Sequence, residues 1–135
     1  MKNYILPITL FVSLSSGFVQ AESETVNRLL QDYAAQGAAA ADMKQGGKLW
    51  QQVFRENGER SCASCHTKDL TQNGKHVKTR KLIKPMSPSV NPERLSNARK
   101  VNKWFKRNCK WTMGRECTAQ EKSNFLVYIQ QSSKF

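Results

Sequence analysis

Two cysteines three residues apart, with a histidine directly after the second, stand in Ser61-Cys62-Ala63-Ser64-Cys65-His66. Residues three apart lie on one face of a helical turn. Two thiols there can reach the two vinyl groups along one edge of a porphyrin and form thioethers, and the adjacent imidazole then points at the iron. The pattern therefore predicts covalent attachment of one haem c through Cys62 and Cys65, with His66 as the proximal iron ligand. Other chemistries also use close cysteines. A thioredoxin-like pair needs a strand–helix context within a βαβ unit, and no strand pattern surrounds this motif. A zinc site would recruit Cys109 and Cys117, whose separation of eight residues suits a zinc ribbon poorly.

The start of the chain says where such chemistry takes place. Lys2 is followed by an apolar run from Tyr4 to Phe18, and Val19-Gln20-Ala21 puts small residues at the positions a signal peptidase reads. The expectation is a signal peptide over residues 1–21, cut after Ala21, and a periplasmic protein. The run is shorter than the ~20 residues a spanning helix needs. Residues 22–135 then form a single domain with one modest core, of a size that gains from staples. A covalent haem is one staple. In an oxidising compartment the remaining pair, Cys109 and Cys117, reads as a disulfide, a link of roughly 2–4 kcal/mol in typical cases.

Charge narrows the partners. The whole chain has 22 Lys and Arg against 10 Asp and Glu. Between Lys68 and Arg115 the only acids are Asp69 and Glu93, so nearly all the excess lies there. Such a field steers anionic partners. Nucleic acid is the usual partner of a basic intracellular chain, and a secreted chain seldom meets it. An acidic redox protein or an anionic membrane surface fits better.

The periodicity is helical. Val26, Leu29, Leu30 and Tyr33 form a stripe within Glu24 to Gly37. Asp42 can cap a second helix running to about Asn57, with Leu49, Trp50, Val53 and Phe54 as its apolar residues. Gly46 and Gly47 inside it weaken helix propensity and make sense where another helix approaches closely. Residues 67–96 read as loop, broken by Pro85, Pro88 and Pro92. Ser96 can cap a third helix through Arg107, with Val101, Trp104 and Phe105 buried, and Cys109 to Cys117 then forms a short loop. Thr118-Ala119-Gln120-Glu121 is a capping box ahead of a last helix carrying Phe125, Leu126 and Ile129. The fold class expected is all-α.

The sixth position on the iron decides function, and several residues compete for it. Met86, in Lys84-Pro85-Met86-Ser87-Pro88, would be held firmly by its prolines, and His/Met ligation suits an electron carrier. It also reads as a core methionine filling space. Met113 lies inside the cysteine loop. Met43 reads as packing and His76 as a solvated surface residue. Asn108, taken alone, is an ordinary residue near a helix end.

Beyond these patterns the chain resembles the sphaeroides haem protein (SHP) group, small class I-like cytochromes c with an oxygen-binding haem. The resemblance runs from about Leu49 to Ile129. It is carried by the haem motif, Pro85-Met86-Ser87-Pro88-Ser89, Asn91-Pro92-Glu93-Arg94, Lys103-Trp104-Phe105, Arg107-Asn108-Cys109 and Gly114-Arg115-Glu116-Cys117-Thr118. It implies that Asn108 is an unusual distal iron ligand and that Cys109 and Cys117 are bridged. A weakly bound amide could swing away on reduction and leave room for O2 or NO. The resemblance also implies a diffusible cytochrome reduced by a dihaem cytochrome c, and the chain is expected to be a monomer. Three functions follow as expectations: an electron carrier whose haem also binds diatomic gases, a plain His66/Met86 carrier, and a terminal reductase. The last needs a proton donor, and His76 is the one candidate for it.

Overall fold

The computed structural model describes residues 23–132, so the expected signal peptide lies outside the described residues. Five helices and one minimal strand pair follow in chain order: α1 Glu24–Ala35, α2 Met43–Gln51, α3 Ala63–His66, β1 Gly74–Lys75, β2 Leu82–Ile83, α4 Ala98–Met113 and α5 Ala119–Gln130. Among the described residues no helix is long and apolar enough to cross a membrane.

Each long helix starts on a side-chain cap, which satisfies amide groups the first turn leaves unpaired. The Ser23 hydroxyl accepts from the Val26 amide, and Asp42 accepts from the Lys44 and Gln45 amides. Asn97, one residue past the expected Ser96, accepts from Lys100. Thr118 and Glu121 form the full capping box. Gly37 and Gly114 take positive φ where α1 and α4 stop, conformations that cost an L side chain.

The core sits where α1 and α2 pack on α5. Val26, Leu29 and Leu126 are wholly buried, with Tyr33, Trp50, Phe125 and Ile129 around them. Gly46 and Gly47 act as expected. A Cβ on Gly46 would fall 2.2 Å from the Asn124 carbonyl oxygen, and one on Gly47 would touch the Tyr128 ring. The two glycines let α2 and α5 cross backbone to backbone.

The structure corrects three expectations. Helix α2 ends at Gln51, not near Asn57. The chain then turns so that Phe54 and Arg60 exchange backbone hydrogen bonds around Asn57-Gly58, which leaves Val53 exposed. Helix α4 runs six residues beyond Arg107 to Met113, because nothing breaks it before Gly114. Asn108 and Cys109 are thus helical. Finally, β1 and β2 form an antiparallel pair, Gly74 opposite Ile83 and Lys75 opposite Leu82, too short for period-two alternation to reveal.

Candidate haem-binding site

Helix α3 is a single turn. The Cys65 and His66 amides donate to the Cys62 carbonyl, and Thr67, at φ 65°, ends it. Ser61 and Ser64 brace its start: the Ser64 amide donates to Ser61 Oγ, the Ser61 amide donates to Ser64 Oγ, and the two hydroxyls meet at 3.1 Å. From the other side Trp50 Nε1 donates to the Thr67 carbonyl at 2.8 Å, and its ring lies 5.6 Å from that of His66. Strand β1 closes on the same turn, so tightly that a Cβ on Gly74 would sit 2.1 Å from the Cys65 carbonyl oxygen.

This turn brings Cys62, Cys65 and His66 into the wall of one large cavity, about 1200 Å³. The two cysteines are thiols, not bonded to each other. Burial pushes the Cys62 thiol up to about 12, and Cys65 adds to that. A thiol held protonated is a poor redox nucleophile, which argues against a thioredoxin-like role. Burial pushes His66 down to about 4, and its electrostatic interactions with Arg94 and then His76 lower it further. Its imidazole is therefore neutral at ordinary pH, the form that ligates a metal. His66 Nδ1 is buried without a protein hydrogen-bond partner. Among the described residues no three His, Cys, Asp or Glu side chains are grouped so as to hold a metal ion directly.

The rest of the wall suits a large flat apolar group carrying carboxylates. Val101, Phe105, Phe125 and Ile129 supply apolar surface, and Lys78, Lys81, Lys84 and Lys100 stand in the same wall. Small-molecule pockets are typically ~300–1000 Å³, so the space is generous. Thiols, neutral imidazole, apolar walls and cations together fit haem c.

Helix α4 lines much of this cavity. Val101, Trp104, Phe105, Asn108 and Thr112 all line it, at the spacings of one helical stripe. Trp104, expected in the core, lines the cavity instead. The Cys109 and Cys117 sulfurs meet at bonding distance with their Cα atoms 5.5 Å apart, within the disulfide range. The link joins the last turns of α4 to the residue preceding the Thr118 cap, directly after Asn108.

Met86 also lines the cavity, but from another wall. Its amide and that of Ser87 both donate to the Leu70 carbonyl, at 2.9 and 2.8 Å, only four residues after His66. The Pro85 carbonyl beside it accepts from Asn91 Nδ2 and Arg94 Nε, each at 2.9 Å. Arg94 reaches on to the Lys84 carbonyl. Met113 lies in the wall as well, its Sδ 3.6 Å from Cys117 Sγ. Met43 is exposed at the start of α2 and is not part of the wall. His76, expected in solvent, is half-buried in the wall. Its ring lies 5.4 Å from that of Trp111, and its Nδ1 accepts from the Thr79 amide. Sequence reasoning missed the structural part of Arg94. An arginine following Asn91-Pro92 in a proline-rich loop is a hint of a carbonyl clamp, and no more than that.

A helical turn that offers two thiols and an imidazole to a haem-sized cavity is the construction of a c-type cytochrome. A family described as "Domain of unknown function (DUF1924)" matches residues 36–129. The chain is 34% identical to "Cytochrome c-type protein SHP" of Cereibacter sphaeroides, over 90% of this chain and 98% of that protein. The structure of oxidised SHP, described as an oxygen-binding cytochrome c, superposes with a TM-score of 0.70 at 33% identity, covering 78% of this chain and 95% of SHP. The solution structure of cytochrome c'' from Methylophilus methylotrophus, described with insights into haem-ligand detachment, gives 0.70 at 28% identity, over 81% and 94% of the two chains. The chain belongs to the DUF1924 family and to the SHP-like cytochromes c: a small class I-like fold with one covalent haem c.

Proposed function

We propose that this is a periplasmic electron-transfer cytochrome with a gas-accessible distal side. Its signal peptide is residues 1–21 and its cytochrome domain residues 22–135. Cys62 and Cys65 carry the thioethers, His66 is the proximal ligand, and Asn108 is the weak distal ligand. Haem c supplies an iron that cycles by one electron and can take a diatomic ligand. The protein's part is to offer Asn108 from α4, to hold that turn through a Cys109–Cys117 bridge, and to let the amide leave on reduction so that O2 or NO can enter.

The observation that carries this reading is the position of Asn108 within the cavity-facing stripe of α4, between Phe105 and Thr112. An amide is a weak ligand, and mounting it in a helix lets it withdraw without unfolding a loop. The names of SHP and cytochrome c'', with oxygen binding and ligand detachment, point the same way. Met86 is the second reading, since it too lines the cavity. Its backbone is tied to Leu70, four residues after His66. That placement favours packing on the His66 side over ligation opposite it.

Absorption spectra of oxidised and reduced protein, with and without CO, test the assignment. Wild type is expected to bind CO readily when reduced. Asn108→Ala should change the oxidised spectrum, and Met86→Ala should leave the ligand bands in place. A reduced wild type that is low-spin and inert to CO, becoming reactive only in Met86→Ala, would establish the closed His66/Met86 carrier instead.

A further inference from the structure

Helix α4 has a second face. Arg99, Lys100, Lys103, Lys106, Arg107 and Lys110 fall at three- and four-residue spacings along its outer side, and all six are exposed. The helix contains no acid. Arg99 and Lys100 occupy its first turn, where the helix dipole is already positive and added cations destabilise. Neighbouring cations on one face repel as well. Among the described residues only Lys110 of the six has an ion-pair partner, Glu116 at 3.3 Å, and Arg107 lies over the Trp104 ring. An arrangement that works against its own helix is explained by something outside it. The face also borders the haem cavity, since Lys100, Arg107 and Lys110 belong to both.

We propose that the outer face of α4 is the docking surface for an acidic redox protein. The inference rests on the electron-carrier reading and adds where the partner binds. A protein surface fits better than a membrane. A helix that lies on lipid needs an apolar face turned outward, and α4 turns Val101 and Phe105 to the cavity and Cys109 and Met113 to the core. Purely ionic attraction guides an encounter and raises its rate. Trp104, with Arg107 over its ring, joins this surface to the cavity wall.

The test uses holoprotein and small redox probes of opposite charge. Oxidation of the reduced cytochrome by hexacyanoferrate(III), an anion, is followed by stopped flow at low and high salt. Tris(phenanthroline)cobalt(III), a cation, is the counter-probe. Arg99→Glu/Lys103→Glu/Lys106→Glu, all outside the cavity wall, should slow the anionic reaction at least tenfold at low salt, flatten its salt dependence, and speed the cationic one. Arg28→Glu/Lys44→Glu/Lys48→Glu makes the same charge change on exposed positions of α1 and α2, away from the cavity, and should slow it far less. Equal slowing by both triple variants would overturn the proposal, because net charge alone would then explain the steering. So would sedimentation of wild type, but not of the α4 variant, with phosphatidylglycerol vesicles while both react equally with hexacyanoferrate. Unchanged haem spectra and dithionite reduction in every variant keep these outcomes apart from a failure of the electron-carrier reading.

Discussion

Gly74 is the tightest point of the turn that carries Cys62, Cys65 and His66. A Cβ there would meet the Cys65 carbonyl oxygen at 2.1 Å and the His66 Cα at 3.0 Å. Both contacts are backbone, so neither can swing aside. Gly74→Ala should therefore destabilise the protein by roughly 1–3 kcal/mol, the usual cost of overpacking, and lower the yield of covalently loaded cytochrome. Thermal melts and pyridine haemochrome content measure the two effects. Unchanged melting and full loading would mean that β1 relaxes away from α3. At this scale the sequence was readable where chemistry forces a pattern. Cys62, Cys65 and His66 stand out as candidates because their spacing has few other uses. Arg94 does not, because its task is to hold carbonyls of Lys84 and Pro85 that only the folded loop brings to it.

Helix α5 depends on its first turn. Glu121 accepts from the Thr118 amide and makes a paired contact with the Arg115 guanidinium, at 2.8 and 2.7 Å. These interactions hold its carboxyl below the usual range, the hydrogen bond from Arg115 first. A depressed carboxylate adds stability above its unfolded pKa and loses it as pH falls through the folded value. Glu121→Gln should cost about 1 kcal/mol at neutral pH, in line with other cap losses. The difference from wild type should fade as pH drops below the ordinary glutamate range. Urea denaturation at pH 7 and in acid reads both, and a penalty constant with pH would count against the ionic part. The same box marked the start of α5 in the sequence, because caps are local signals. The ends of α2 and α4 were harder. Val53 and Phe54 continue an apolar pattern that the chain abandons for a turn, and the cysteine pair suggested a loop where the backbone is still helical to Met113. Periodicity records which residues want burial, and tertiary packing decides where the helix stops.

The molecule as a whole joins a core of α1, α2 and α5 to a cavity walled by α3, α4 and the β1–β2 segment. The all-α class was visible in the spacing of apolar residues. The cavity was not, because its wall gathers side chains from Trp50 to Ile129. Processing is a property of the entire chain, and intact-mass spectrometry of periplasmically expressed protein checks it. The expected product begins at Glu22, carries one haem, and has no free thiols. An apoprotein mass obtained with the maturation machinery present would contradict thioether attachment at Cys62 and Cys65. Asn108 is mounted on a regular helix whose next residue, Cys109, is linked to Cys117. A side chain on so firm a post has only its own χ1 and χ2 to move. The opening proposed for it is thus a rotamer change, of the picosecond-to-nanosecond class, and not a microsecond loop excursion. Once the amide has let go, an arriving gas molecule would find the way clear at once, and its association rate should report diffusion into the cavity instead of a protein gate.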